Sequence, residues 1–517
     1  MRGRKVTGMG RFDAAIIGGG PEGLIAAITL ARAGFHVIVL EKASAPGGRA
    51  TTREFHPGFR ASPYTDELPE IPGRLYRSLD LARHGAILAS SPASMLISDS
   101  GTSLTFADAA RSARTVPQAA RSGFLAFREE VEALRRAVEQ RVFAPGAPTP
   151  RRWFAWPRVE RDGPWSIESW TRASLRGVLR TRLPDSLLRL HLAADAVSGR
   201  AVSPFLAGTA LHALAPGSGL SGRTVGGLGR LGSALANIAR QAGAVIRCDT
   251  EITEIDVRHG RATAIVIGGE DIAARAFLST LDVKRTMHGL IALSELPQSV
   301  AKRVGYFRVA GQAARVLFAL DAAPALSLLR DNPDAASGPI HVLGSMKALT
   351  AAHDLWRAGK LADEPLVTLR LPALADPRLA PIGKAVMTAT ISAVPWRMSG
   401  SRVEPRREQL GTIALAAAER AIPGIASLVL AQHVIAGTDV EEGLGATEGD
   451  LDGGEIAADQ ILDSRPFGGA EWRDGRTPIA SLYLAGRSSG ASPFLLGASG
   501  SLAARAIIAD LKTGTAR

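Results

Sequence analysis

Three glycines in the spacing Gly18-x-Gly20-x-x-Gly23, with Glu41 18 residues beyond the last, define the binding of a diphosphate and the ribose beside it. Gly18 lets the chain turn tightly, Gly20 lets the backbone approach a diphosphate, and Gly23 lets a helix pack on a strand. Amide groups at that helix's N-terminus face the phosphate charge. A carboxylate at Glu41 accepts hydrogen bonds from a ribose and repels a 2′-phosphate, so FAD or NAD fits better than NADP.

The flanking elements are those such a loop requires. Ala14-Ala15-Ile16-Ile17 is an apolar strand running into the glycines, Pro21-Glu22 starts a helix, and Phe35–Leu40 is a second strand ending on Glu41. A second G-x-G-x-x-G, Gly227–Gly232, follows Pro216–Arg223, which holds no strand pattern, so it reads as the start of a helix. A dedicated NAD(P)H domain is therefore not expected.

Shortly after the acid comes Glu41-Lys42-Ala43-Ser44-Ala45-Pro46-Gly47-Gly48-Arg49. Paired glycines bring backbone close to a diphosphate and Arg49 can neutralise its charge. This block, followed by Glu54–Ser62, resembles the second signature of FAD enzymes of the glutathione-reductase structural class, in particular the amine-oxidase and phytoene-desaturase branch. Further blocks resemble the same branch in order: Thr224–Gly229 before a helix, Ala276–Asp282, Ser481–Gly486, and Gly497–Gly500 opening a terminal helix. The chain thus resembles the phytoene-desaturase-like flavoproteins over most of its length.

That resemblance implies an α/β fold: a Rossmann-type FAD-binding domain from residues 1–65, 224–285 and 440–517, with a discontinuous α+β substrate domain from 66–223 and 286–439. It implies non-covalent FAD held by Gly18, Gly20, Pro21, Glu22, Gly23, Glu41, Lys42, Gly47, Gly48 and Arg49, closed over by Gly486, Arg487 and Pro493. The implied activity is transfer of hydride from a C–H bond of an organic, hydrophobic substrate to flavin N5. Flavin-dependent amine oxidation and a mainly binding or assembly role stay open as alternatives.

Three departures from the family pattern matter. Gly490 and Gly453 stand where many relatives have histidines, which implies space opened near the flavin ring and a lost proton carrier. Arg487 stands where relatives carry an aspartate, so it meets the diphosphate or an acidic substrate instead. Asp450, Asp452 and Glu455 are the nearest acids and the candidate general bases toward a protonated amine. Their alternative role is to cap a turn and a helix over 456–462.

Composition narrows the classes. Cys248 is the only cysteine, which excludes internal disulfide chemistry and cysteine-rich metal sites. No metal site is expected. The start has basic residues without an apolar stretch behind them, and no run reaches about 18 apolar residues, so a cytoplasmic location is expected. The net charge of +12 is spread as scattered arginines without an aromatic-interleaved stripe, so no nucleic-acid partner is expected. A solvated basic surface and peripheral contact with an anionic membrane both fit that charge.

In the substrate segments, apolar residues from Phe124 to Val138 recur at helical spacing, 184–194, 204–215 and 408–421 read as helices, and 314–320 and 385–391 read as antiparallel strands. Trp153, Trp156, Trp165 and Trp170 cluster as core or as an interfacial anchor, with core favoured. The ten histidines are isolated in sequence and read as structural.

Overall fold

A computed structural model describes residues 12–89, 93–106, 108–143, 167–214, 223–325, 338–398, 407–461, 464–490 and 493–514. The amino-terminal basic residues, Trp153, Trp156 and Trp165 and the segment 216–222 lie outside them.

The glycine loop sits on a sheet ordered Glu254–Arg258, Arg261–Ile267, Glu270–Ser279, Phe12–Ile17, Val37–Leu40, Val245–Arg247, with Leu482–Leu484 also paired to Glu270–Ser279. The strands around Phe12–Ile17 run parallel, whereas the first three form an antiparallel meander. Parallel strands covered on both faces carry uninterrupted apolar runs. Ala14 and Ile16 pack with Leu24, Ile28, Leu235 and Ile507 on one face. Ala15 and Ile17 pack with Ile38, Phe277, Met287 and Val304 on the other. The architecture is α/β with a Rossmann-type dinucleotide-binding domain.

A second sheet runs Val429–Ile435, Ala313–Leu320, Ala385–Ser392, Val367–Arg370, Ile340–Val342, Ala93–Ser98, Gly101–Phe106. It is antiparallel except between Ile340–Val342 and Ala93–Ser98. Helix Arg407–Ala421 covers one face through Leu410, Ala414 and Ala418. Helices Arg121–Phe143, Leu175–Arg182 and Ser186–Val197 build a further layer in which Trp170 is fully buried, its Nε1 donating to Glu130 at 3.1 Å. Trp170 is therefore core.

Two expected helices are absent. Within 204–215 only a 3-10 turn, Thr209–Leu214, forms, because Pro204 and Gly208 (φ +82°) interrupt the pattern. Residues 456–461 make turns: the Arg465 guanidinium takes the carbonyl of Glu455, which would accept the first hydrogen bond of a helix, and also that of Gln460. Among the described residues, no helix is long and apolar enough to cross a membrane.

Candidate functional site

The C-terminal ends of the parallel strands open into a cavity of about 410 Å³. In open parallel sheets this is where ligands bind. Gly18, Gly20, Pro21, Glu41, Lys42, Gly48, Arg49, Gly486 and Arg487 line it. Gly20 precedes helix Pro21–Arg32 and no side chain caps that end. A Cβ on Gly20 would meet no protein atom within 4 Å, so the space before the helix amides is open. Gly48, at φ +52°, turns against Gly20, and a Cβ on it would lie 3.1 Å from the Gly20 Cα. Arg49 donates to the Leu451 carbonyl at 2.8 Å, while its buried Nε has no hydrogen-bond partner among the described residues. Burial and the neighbouring Arg487 push Arg49 down to about 9. Open amides, a glycine cradle and a guanidinium short of an acceptor fit a diphosphate.

Other expected residues serve the loop rather than its wall. A Cβ on Gly23 would sit 2.1 Å from the Gly18 carbonyl oxygen, so its bareness permits helix–strand contact. Gly47 donates to the Gly19 carbonyl at 2.8 Å and does not line the cavity. Glu41 accepts from Gly19 N at 2.7 Å and Ala43 N at 2.9 Å, one donor per oxygen, which leaves lone pairs for a further donor. Lys42 stands at the rim, paired with Glu251 at 2.9 Å. Glu22 touches the cavity, but its carboxylate is committed elsewhere: it accepts from Gly497 N and Gly500 N at 2.7 Å and from Ser499 Oγ at 3.0 Å. Its side chain thus caps the terminal helix, a correction to its expected contact with a cofactor.

The three candidate bases separate. Asp450 is buried on the cavity wall and accepts from Asp452 N at 2.7 Å, Gly454 N at 3.1 Å and Ala310 N at 3.3 Å. Burial, then the charge of Asp452, pushes it up to about 7. Asp452 is paired with Arg200 at 2.8 Å and with Arg487. Against the effect of burial, those guanidiniums hold it well below the usual carboxylate range. Glu455 lines neither cavity and pairs with Arg308 at the surface, which removes it from the site. Arg487 therefore meets an internal carboxylate.

Gly453 lines the outer cavity, but the space on the side a Cβ would take is filled. A Cβ would lie 2.9 Å from the Arg487 Cβ, and the Ser488 hydroxyl donates to the Gly453 carbonyl at 2.6 Å, closing the turn against the strand end. Gly490, at φ +53°, lines neither cavity, and a Cβ on it would meet no atom of the described residues within 4 Å.

Behind the first cavity lies a chamber of about 160 Å³, sharing with it Arg49, Pro69, Leu451 and Arg487. Pro493 lines this chamber and not the outer cavity. Its walls carry Arg200, Arg315, Arg370, Asp66, Glu67, Asp195 and His341, none of them singled out in the sequence. They come from separate strands, helices and loops. The available clue was His191 and Asp195, polar residues one turn apart among the apolar residues of one helix. In the outer cavity Thr280 was also missed; it ties the strand ends together by donating to the Ile17 carbonyl at 2.8 Å.

Fold and cavity define a protein with a Rossmann-type dinucleotide-binding domain. The family described as NAD(P)-binding Rossmann-like domain matches residues 16–65. The chain is 27% identical to pyridine nucleotide-disulfide oxidoreductase domain-containing protein 2 of Rattus norvegicus, over 97% of this chain and 94% of that protein. It is 26% identical to phytoene dehydrogenase of Streptomyces griseus, over 73% and 72% of the two chains. The structure of cyclohexylamine oxidase from Brevibacterium oxydans IH-35A superposes with a TM-score of 0.58 at 14% identity, covering 97% of this chain and 100% of the other. The chain is thus similar in sequence to oxidoreductases over most of its length, and it shares its fold with an amine oxidase.

Proposed function

We propose that the protein holds non-covalent FAD in the outer cavity and oxidises a C–H bond of a small organic substrate seated in the inner chamber. The observation that carries this reading is the glycine cradle: Gly20 opens the helix amides to the cavity while Gly48 and Arg49 close on it from the second signature. Bound FAD supplies a two-electron acceptor. Gly18, Gly20, Gly48 and Arg49 would hold its diphosphate, and Glu41 its ribose. No cysteine, histidine or tyrosine lines the outer cavity among the described residues, which supports a non-covalent cofactor.

The chamber also bears on the substrate. Five arginines and four carboxylates line about 160 Å³, an environment that favours a compact polar molecule over a long polyene. This departs from the hydrophobic substrate expected from the sequence.

The test is direct. Full-length protein purified with or reconstituted with FAD should show a flavin spectrum and release FAD on denaturation. Anaerobic addition of substrate from a panel of small amines, alcohols and acids should bleach it. Folded protein that stays colourless overturns the reading.

A further inference from the structure

The inner chamber carries one carboxylate that no guanidinium answers. Asp66 faces Arg315 at 2.8 and 3.1 Å, Glu67 faces Arg370, and Asp452 faces Arg200 and Arg487. Asp195, on helix Ser186–Val197, is held by a hydroxyl and an imidazole instead. The Ser94 hydroxyl donates to its Oδ1 at 2.6 Å, and His341 Nε2 donates to the same oxygen at 2.8 Å. Thr368 Oγ1, a group that both donates and accepts, lies 2.9 Å from His341 Nδ1, while the carboxylate at Nε2 calls for a proton on that nitrogen.

Oδ2 makes no hydrogen bond among the described residues. The nitrogen recorded near it is His191 Nε2 at 3.9 Å. That ring is neutral at ordinary pH, because burial pushes it down to about 4. Arg128, from helix Arg121–Phe143, is held in its charged form in part by the field of Asp195. The side chain of Asp195 is 19% exposed and on the chamber wall, so the open oxygen has access to a ligand.

Arg49 and Arg487 line both cavities, whereas Asp195 lines only the inner one, so its open oxygen faces the chamber and not the proposed diphosphate. A carboxylate oxygen held out of water without a donor is costly, and a bound cation offsets that cost.

We propose that Asp195 is the counter-ion for a protonated nitrogen, so that the inner chamber selects a small organic cation. The ammonium donates to Oδ2, while Ser94 and His341 hold Oδ1 and so aim the carboxylate. This deepens the function proposed above and rests on it. Asp195 acts here as a substrate-binding residue.

Benzylamine and benzyl alcohol, nearly equal in size, separate charge from shape. Calorimetry on the flavin-loaded full chain should show benzylamine binding more tightly than benzyl alcohol. Asp195→Asn keeps the size of the side chain, and should weaken benzylamine about tenfold or more while leaving benzyl alcohol unchanged. A crystal structure of the benzylamine complex should put its nitrogen within hydrogen-bond distance of Asp195 Oδ2, an observation that needs no variant to fold. The inference is overturned if the wild type does not prefer benzylamine, including by binding neither. It is equally overturned if a folded Asp195→Asn binds benzylamine as well as the wild type, or if the nitrogen lies elsewhere. Flavin content of the same samples separates the two readings. A yellow protein indifferent to charge sinks only the role of Asp195, and a colourless one that prefers the amine sinks only the FAD assignment.

Discussion

Glu22 and Ser499, 477 residues apart in sequence, share a hydrogen bond of 3.0 Å that joins the first helix to the last. The same carboxylate accepts from the amides of Gly497 and Gly500. One buried side chain thereby caps the N-terminus of helix Ala498–Thr513 and anchors it beside the glycine loop. Glu22→Ala should lower stability by about 2–4 kcal/mol in urea denaturation, since it leaves two amides and a hydroxyl without their acceptor. Glu22→Gln, which keeps one acceptor, should recover part of the loss. Equal midpoints for wild type and Glu22→Ala would contradict the capping role.

Gly20 and Gly23 belong to one motif yet should fail differently. A methyl on Gly23 would lie 2.1 Å from the Gly18 carbonyl oxygen, so Gly23→Ala must push the helix off the strand and should yield unstable or insoluble protein. A methyl on Gly20 meets no protein atom within 4 Å and projects where the ligand would sit. Gly20→Ala should therefore melt near the wild type while retaining FAD at least tenfold more weakly, read as flavin per protein after dialysis. Similar flavin content in Gly20→Ala and wild type would argue against a diphosphate there.

The glycine loop was legible because its chemistry is local: strand, turn and helix are contiguous, and Gly23 answers the carbonyl of Gly18 five residues before it. Glu22 shows the limit. An acid in the first turn of a helix suits the macrodipole or a ligand, and nothing near it in sequence points to residues 497–500. The inner chamber was not legible for the same reason. Asp66 and Arg315 are 249 residues apart, and Asp195 and His341 are 146 apart, so no window of sequence contains either pair. The failed helix over 456–462 has a comparable cause, since the Glu455 carbonyl that would open it is claimed by an arginine beyond its end.

That arginine, Arg465, is buried and spends its donors on backbone. It reaches the carbonyls of Asp452, Gly454, Glu455, Gln460 and Arg487 at 2.7–3.1 Å. Lysine cannot reproduce a planar fork that binds five oxygens. Arg465→Lys and Arg465→Met should each destabilise the fold by about 3–5 kcal/mol and open the 452–461 segment to limited proteolysis. A variant cleaved no faster than the wild type would show that the segment holds itself.

Asp450 provides the pH test. Its carboxyl ionises near 3.8 in an unfolded chain and near 7 in the folded one, where burial and the charge of Asp452 oppose ionisation. Between those values the unfolded chain has released a proton that the folded chain keeps, so this group's contribution to stability falls as pH rises, and the loss is complete above about 7. From pH 5 to pH 8 that amounts to about 2–3 kcal/mol. His191 and His212, pushed down by burial to about 4 and about 3, act in the opposite sense, since the unfolded chain holds their protons longer. Their contribution is common to wild type and Asp450→Asn and cancels in the comparison. Asp452, held below 3.8, adds stability that is present above that value and lost only in stronger acid, outside the window. Urea denaturation should therefore show Asp450→Asn gaining about 2–3 kcal/mol relative to wild type between pH 5 and pH 8. Parallel stability curves would mean that Asp450 titrates in the ordinary range, its three backbone donors outweighing its burial.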